Sequence, residues 1–367
     1  MFKQYKLKNY KFILIALVVI LNTIGVALVG SASPGDQKKQ IIGMVSGIII
    51  MLLVSYIDYN FILRFSWLIY LGAIGLLGLV IVAGEQSKGA QRWFKIGGFQ
   101  FQPSELVKIL MILFLAYYFM RYEEKINSPR VLFGSFVLIG IPLALILAQP
   151  NLSTTIVLAL VFAAMLFAAG LSYKIVVGVL AVCVPTFFIV LTLIIQDKFP
   201  FIHSYQLGRI MGWLYPDKYP DIAYQQQNSI MAIGSGLLWG KGLGNTDPTS
   251  VKNGKFILEP QNDFIFSILC EELGFIGAAL VVALFLLLLL RGMSIAVRAR
   301  DKFGALLVVG FVVQVTLQAI LNMAVVTNTI PNTGISLPFF SSGGTSLLML
   351  LGEMGIVLSV SRQTDMV

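Results

Sequence analysis

The chain is poor in the residues from which metal and redox sites are usually built. One histidine, His203, and two cysteines in 367 residues leave no pattern of ligands for a zinc site. Cys183 and Cys270 both lie inside apolar stretches, so they report neither a disulfide framework nor a redox compartment. Charge is scarce as well. Only 12% of residues are charged while 57% are hydrophobic, a balance that excludes an ordinary water-soluble domain and reads as a polytopic membrane protein. The net charge of +9 does not point to nucleic acid, because the 26 Lys and Arg are scattered over short loops without a continuous basic face. The glycine-rich run AIGSGLLWGKGLG (232–244) lacks the Lys-Ser/Thr ending of a phosphate loop and follows no strand, so no nucleotide site is read there.

What the chain has instead is apolar length. Measured against the roughly 20 residues that cross a bilayer, the runs predict spans near 11–30, 40–57, 61–83, 104–121, 131–148, 152–170, 174–195, 263–290, 304–327 and 343–360. Ten spans place both termini on one side. Lys3, Lys6, Lys8, Arg121, Lys125, Arg130, Lys174, Arg291, Arg298, Arg300, Lys302 and Arg362 mark that side as cytoplasmic, against Lys38, Lys39, Lys88, Arg92 and Lys95 opposite. The expectation is an all-α polytopic membrane protein: a single transmembrane domain over 1–367, with residues 196–262 as a large extracytoplasmic loop between helices 7 and 8. Ser31-Ala32-Ser33 loosely matches a cleavage site, but the apolar core before it, about 19 residues, is too long for a signal peptide. The first run is expected to stay as an anchor.

Three outer segments are unlike simple connections: 84–104, 196–262 and 328–346 mix glycine, proline, aromatics and polar residues, as in backbone that lines a cavity. Arg92 before Trp93 suits either a bidentate phosphate contact or a structural ion pair. In QPSELVK, Pro103 and Ser104 signal a helix start, with Ser104 able to cap, and Glu105 and Lys108 fall three residues apart on one face. That pair is either an internal ion pair or a site for a substrate phosphate or a carboxylate. In EPQNDFIFSILCEELGF (259–275), Asn262 or Asp263 can cap the eighth span. An ionised Asp263 at the membrane surface could also accept a proton or hold a divalent cation. Glu271 and Glu272 lie about 12 to 13.5 Å further along a helix, too far to share a proton with Asp263. They are expected, like Glu353, to bond between helices or line a lower cavity. His203 is read as a surface residue, and Arg209 and Lys241 as solvated charges or pyrophosphate contacts.

GAQRWFKIGGFQFQPSELVK (89–108), AQPNLSTT (148–155), AIGSGLLWGKGLG, EPQNDFIFSILCEELGFIG (259–277) and PNTGISLPFFSSGGTSL (331–347), in this order, resemble the SEDS family, which includes RodA, FtsW and SpoVE. The resemblance implies a peptidoglycan glycosyltransferase of the bacterial cytoplasmic membrane, polymerising lipid II on its outer face through β-1,4 links, for elongation or division. It implies a class B penicillin-binding protein as partner, within an elongation or division complex. The family's aspartate maps onto Asp263, its PSE-segment Glu and Lys onto Glu105 and Lys108, and its arginine before tryptophan onto Arg92. Arg209, Glu259, Glu271 and Glu272 join the expected supporting residues, with Mg or Mn at Asp263 as the expected cofactor. Departures are Gln261-Asn262 where His-Thr or His-Asn is common, Ser342 for a frequent Tyr, Asn151 for Asp and Ser153 for Gly. A β link formed from an α-linked pyrophosphate inverts the anomeric carbon, so one base, Asp263, and one leaving-group stabiliser, Arg92, Lys108 or the metal, suffice. A cavity joining Asp263 to the PSE segment is expected. The competing readings are a lipid II flippase, with the buried carboxylates and Lys108 as a polar path, and a scaffold for the transpeptidase.

Overall fold

The structure, a computed structural model, describes residues 11–87, 90–96, 99–196 and 204–363. His203 and lysines 3, 6, 8 and 88 lie outside them. The chain runs α1 (Phe12–Ala32), α2 (Pro34–Ser55), a 3₁₀ turn (Tyr59–Phe65), α3 (Ser66–Ala83), then three short strands, β1 (Glu85–Ser87), β2 (Ala90–Ile96) and β3 (Phe99–Phe101). It continues through α4 (Pro103–Arg121), α5 (Pro129–Ala148), α6 (Leu152–Ala168), α7 (Tyr173–Ile195), α8 (Ser204–Leu214) and α9 (Pro220–Ser235). The final helices are α10 (Ile265–Val297), α11 (Lys302–Val326) and α12 (Gly344–Arg362). Among the described residues, eight helical segments are long and apolar enough to cross a membrane, and two shorter apolar ones, Leu152–Ala168 and Tyr173–Thr186, accompany them.

The all-α expectation needs one correction. Segment 85–101 forms a three-stranded antiparallel sheet in the order β1-β2-β3, with Glu85 opposite Trp93 and Phe94 opposite Phe101. Backbone outside a helix must find partners for its N–H and C=O groups, and the sheet supplies them. Segment 196–262, expected as a large loop unlike a simple connection, carries α8 and α9. α2 begins at Pro34, six residues before the apolar run, because Pro sits at its first turn and Asp36 complements the helix N-terminus.

The centre of the bundle is made by α4, α11 and α12, which are 72%, 61% and 61% buried along their apolar windows, against 28% for α2, α3, α5 and α10. Lipid is as apolar as leucine, so helices associate by close packing of small residues. A Cβ added to Gly355 of α12 would come within 2.7 Å of the Met51 carbonyl on α2, and Gly47 of α2 leaves room for Leu351 in the same way. Gly25 of α1 similarly admits the backbone of Phe339 and Phe340, with a Cβ there 2.9 Å from Phe340 Cα. That contact brings the 331–343 segment down onto the bundle.

α10 is not the single rod that its apolar run suggests. At Gly274 the backbone leaves helical geometry (φ 64°, ψ −166°), and the glycine-rich run after α9 fills the break. Lys241 and Gly242 donate their N–H groups to the carbonyls of Glu271 and Glu272, both at 2.9 Å. Phe275 and Ile276 donate theirs to Leu237 (2.8 Å) and Leu238 (3.2 Å). Four groups that would each cost several kcal/mol unpaired in a membrane are thereby satisfied. Glycine is required at Gly240 (φ 76°), where a Cβ would stand 2.6 Å from the Gly274 nitrogen. This run is a clasp on a broken helix.

Candidate functional site

Asp263 sits just before α10. Neither it nor Asn262 caps the helix: the cap position is Phe264, with no side-chain cap bond. The backbone here is instead tied to the segment between α11 and α12. The carbonyls of Gln261, Asn262 and Asp263 accept from Ser342 N (2.8 Å), Ser341 Oγ (2.8 Å) and Asn322 Nδ2 (2.7 Å) respectively. The Asp263 side chain is half-buried and faces Gly334 (φ 75°): a Cβ there would lie 3.5 Å from Asp263 Oδ2 and 3.6 Å from an Arg209 guanidinium nitrogen. Carboxylate and guanidinium thus converge on one glycine.

Gly334 belongs to a stretch whose carbonyls are held by side chains from several helices. Arg209 of α8 donates to Asn332 O (2.9 Å), Trp213 to Asn328 O (2.9 Å), Gln226 of α9 to Ile330 O (3.0 Å), Asn322 of α11 to Ile335 O (2.7 Å), and Ser153 of α6 to Thr333 O. Irregular backbone at a membrane face survives only when satisfied in this way.

The Glu105–Lys108 pair lies on α4 as its spacing predicts. The two side chains meet at 3.0 Å, with Lys108 only 2% exposed and Glu105 22%. Ser104 does not cap: Gln102 occupies that position without a side-chain bond, and Ser104 Oγ accepts from Asn151 Nδ2 (3.2 Å) and Gln102 Nε2 (3.0 Å). Across from Glu105, Gln314 of α11 donates to both oxygens of Glu353 of α12, at 2.9 and 3.0 Å. Glu105, Gln314, Glu353, Ser341 and Ser346 help line a polar cavity of about 30 Å³, room for one or two water molecules. Asp263 is not among its lining residues. On the side of the PSE segment this cavity begins at Glu105, and it extends as far as Ser341.

Arg92 on β2 reaches backbone carbonyls: its Nε donates to Gln149 O (2.9 Å) and an Nη to Pro150 O. Those carbonyls precede Asn151, which caps α6 and reaches Ser104. Arg92 therefore steadies the turn that seats the start of α4. Glu271 and Glu272, each 1% exposed, are taken up by lysines of the clasp region. Lys241 meets Glu271 at 2.7 Å, and Lys252 meets Glu272 at 2.5 Å. Val251 N (2.8 Å) and Lys252 N (3.2 Å) also donate to Glu271, and Ser31 of α1 to Glu272 (2.5 Å). Of the two expectations for this pair, bonds between helices or a place in a lower cavity, these contacts are of the first kind, and burial of a charge demands such pairing. Lys241, expected as a solvated charge or a pyrophosphate contact, is one of those partners. Glu259 is exposed and accepts from Asn262 Nδ2 (3.0 Å). Nearby, Thr249 donates its N–H and hydroxyl to Asp247 and holds that carboxyl below its ordinary range.

Asn322 and Ser341 were not singled out by sequence reasoning. An asparagine within AILNMAVV carries no local signal of its partners, which are 59 and 13 residues away.

Residues 6–366 match the FtsW/RodA/SpoVE family, described as cell cycle proteins. The chain is 35% identical over 374 residues to a probable peptidoglycan glycosyltransferase FtsW of a Geobacter species, covering 98% of both chains. It is 34% identical over 361 residues to the peptidoglycan glycosyltransferase MrdB of Escherichia coli, covering 96% of this chain and 93% of that one. A solved structure described as a peptidoglycan synthase complex that coordinates polymerisation and crosslinking superposes with a TM-score of 0.79 at 27% identity, over 96% of this chain and 98% of that one. The chain belongs to the FtsW/RodA/SpoVE family, the SEDS proteins.

Proposed function

We infer that this protein is a peptidoglycan glycosyltransferase that polymerises lipid II at the outer face of the bacterial cytoplasmic membrane. The observation that carries the reading is the convergence of Asp263 and Arg209 on Gly334 within a chain whose relatives are named for that activity. The membrane arrangement that goes with it has ten spans, both termini cytoplasmic, and residues 196–262 outside between the seventh and eighth, so that Asp263 faces the outer surface.

In the proposed step, Asp263 accepts the proton of the acceptor 4-hydroxyl as that oxygen bonds to the donor's anomeric carbon, and the bond from this carbon to the pyrophosphate oxygen breaks with inversion. The contribution of Asp263 is position and charge as the cationic transition state forms. Arg209 is the cation beside it and suits the departing pyrophosphate. Arg92 and Lys108, the earlier candidates for that role, are committed to the Gln149–Pro150 carbonyls and to Glu105; they support the scaffold around the site. For a divalent cation, the described residues offer no group of three or more His, Cys, Asp or Glu. Asp263 would supply one carboxylate and the substrate's phosphates the rest, as Mg²⁺ sites commonly allow.

The partner that fits is a class B penicillin-binding protein, which crosslinks the strands this chain makes, within an elongation or division complex. Purified protein with its cognate partner, lipid II and Mg²⁺ or Mn²⁺ should yield glycan ladders, and Asp263→Ala should yield none. Absence of polymer from folded wild type, with scrambling of labelled lipid II across liposomes that persists in Asp263→Ala, would establish the flippase instead.

A further inference from the structure

Asp263 has a placement problem. It precedes the first residue of α10, no side chain caps that helix, and the preceding Glu259 has left-handed backbone (φ 51°). A misplacement near 1 Å at a reacting group costs on the order of 100-fold in rate, so the contacts that hold this backbone in place bear on turnover.

We propose that Asn322 is the positioning residue that sets Asp263 against the segment carrying Gly334, a role that rests on the glycosyltransferase reading. Asn322 lies near the end of α11 and is fully buried. Its amide nitrogen donates to two carbonyls at once, Asp263 O and Ile335 O, both at 2.7 Å. An amide NH₂ has two N–H groups, so each carbonyl takes one and the donor capacity is spent. One side chain thereby links the backbone of Asp263 to the backbone next to Gly334, which its carboxylate faces. The amide oxygen has no hydrogen-bond partner; a buried polar atom left in that state costs about 1–3 kcal/mol. A residue kept only for packing would not need the amide.

Ser341 repeats the design one residue earlier. Its hydroxyl donates to Asn262 O and accepts from Leu337 N, both at 2.8 Å, joining the same two strands of chain. Asn322 holds the carbonyl of the reacting residue itself, and Ser341 that of its neighbour.

The test uses the full-length protein with its cognate penicillin-binding partner and lipid II, measuring kcat and KM for Asn322→Ala, Asn322→Asp and Ser341→Ala beside wild type, Asp263→Ala and Tyr59→Phe. Tyr59→Phe is the stability control. It loses the 2.8 Å bond to Asp301, about 30 Å from Asn322 along α11 at 1.5 Å per residue. Asn322→Ala should lower kcat by roughly 10- to 100-fold with KM changed less than about twofold. Asn322→Asp, which turns an acceptor towards two carbonyls, should lower kcat further, and Ser341→Ala less. Tyr59→Phe should lower Tm without lowering kcat. Should Asn322→Asp fail to fold, Asn322→Ala and Ser341→Ala still decide the matter. Full kcat in Asn322→Ala, or a fall matched by Tyr59→Phe at equal loss of Tm, overturns the inference while leaving the glycosyltransferase reading intact. Equal polymerisation by wild type and Asp263→Ala, or none by either, overturns the reading itself.

Discussion

Two sets of carboxylates, Asp263 and the Glu271–Glu272 pair, lie within ten residues of one another and live in opposite environments. Glu271 and Glu272 are 1% exposed and each meets a lysine. Asp263 is half-buried at the edge of an outer segment, facing a glycine and a guanidinium. The first arrangement minimises the cost of burying charge; the second leaves a carboxylate part-exposed, and it is this one to which the proposed function gives the acceptor hydroxyl. Carboxylates that look alike in a motif can thus divide into chemistry and architecture, and the distinguishing feature is what surrounds them.

That division can be broken experimentally, starting with the largest effect. Asp263→Asn should lower polymerisation by about 10²- to 10⁴-fold, the usual range for a general base, with Tm unchanged. Glu272→Gln should do the reverse. It leaves Lys252, 6% exposed, without its counter-charge, and loss of one partner of a buried pair costs about 3–5 kcal/mol, read as a fall in Tm. Gly240→Ala is expected to cost about 1–3 kcal/mol because a left-handed backbone and a crowded Cβ must both be accommodated. Lys241→Ala should have the smallest effect, about 1 kcal/mol or less, since Lys241 is 24% exposed and Glu271 keeps two backbone N–H donors. A catalytic defect in Glu272→Gln at unchanged Tm would erase the distinction.

Much of this was legible in the sequence, for physical reasons that can be named. Apolar runs of membrane length are a strong signal, and a lysine three residues from a glutamate inside one forces an ion pair, which is what Glu105 and Lys108 make. The break at Gly274 was hidden because hydropathy is indifferent to backbone conformation: LGFIGAALVV reads as continuous helix. The run 232–244 showed its glycines but not its purpose, since the groups it satisfies lie about 30 residues on. β1, β2 and β3 are three to seven residues long, too short for alternation to stand out. Arg92 was visible as an unusual charge, whereas its carbonyl partners, 57 and 58 residues away, could only be seen in three dimensions.

The most direct measurement is single-turnover glycan synthesis from lipid II by Asp263→Asn and Glu272→Gln side by side, each with its partner and each checked for Tm. The account predicts a folded, inactive Asp263→Asn and a less stable Glu272→Gln that retains its rate per folded molecule. Near-normal turnover by folded Asp263→Asn would contradict it.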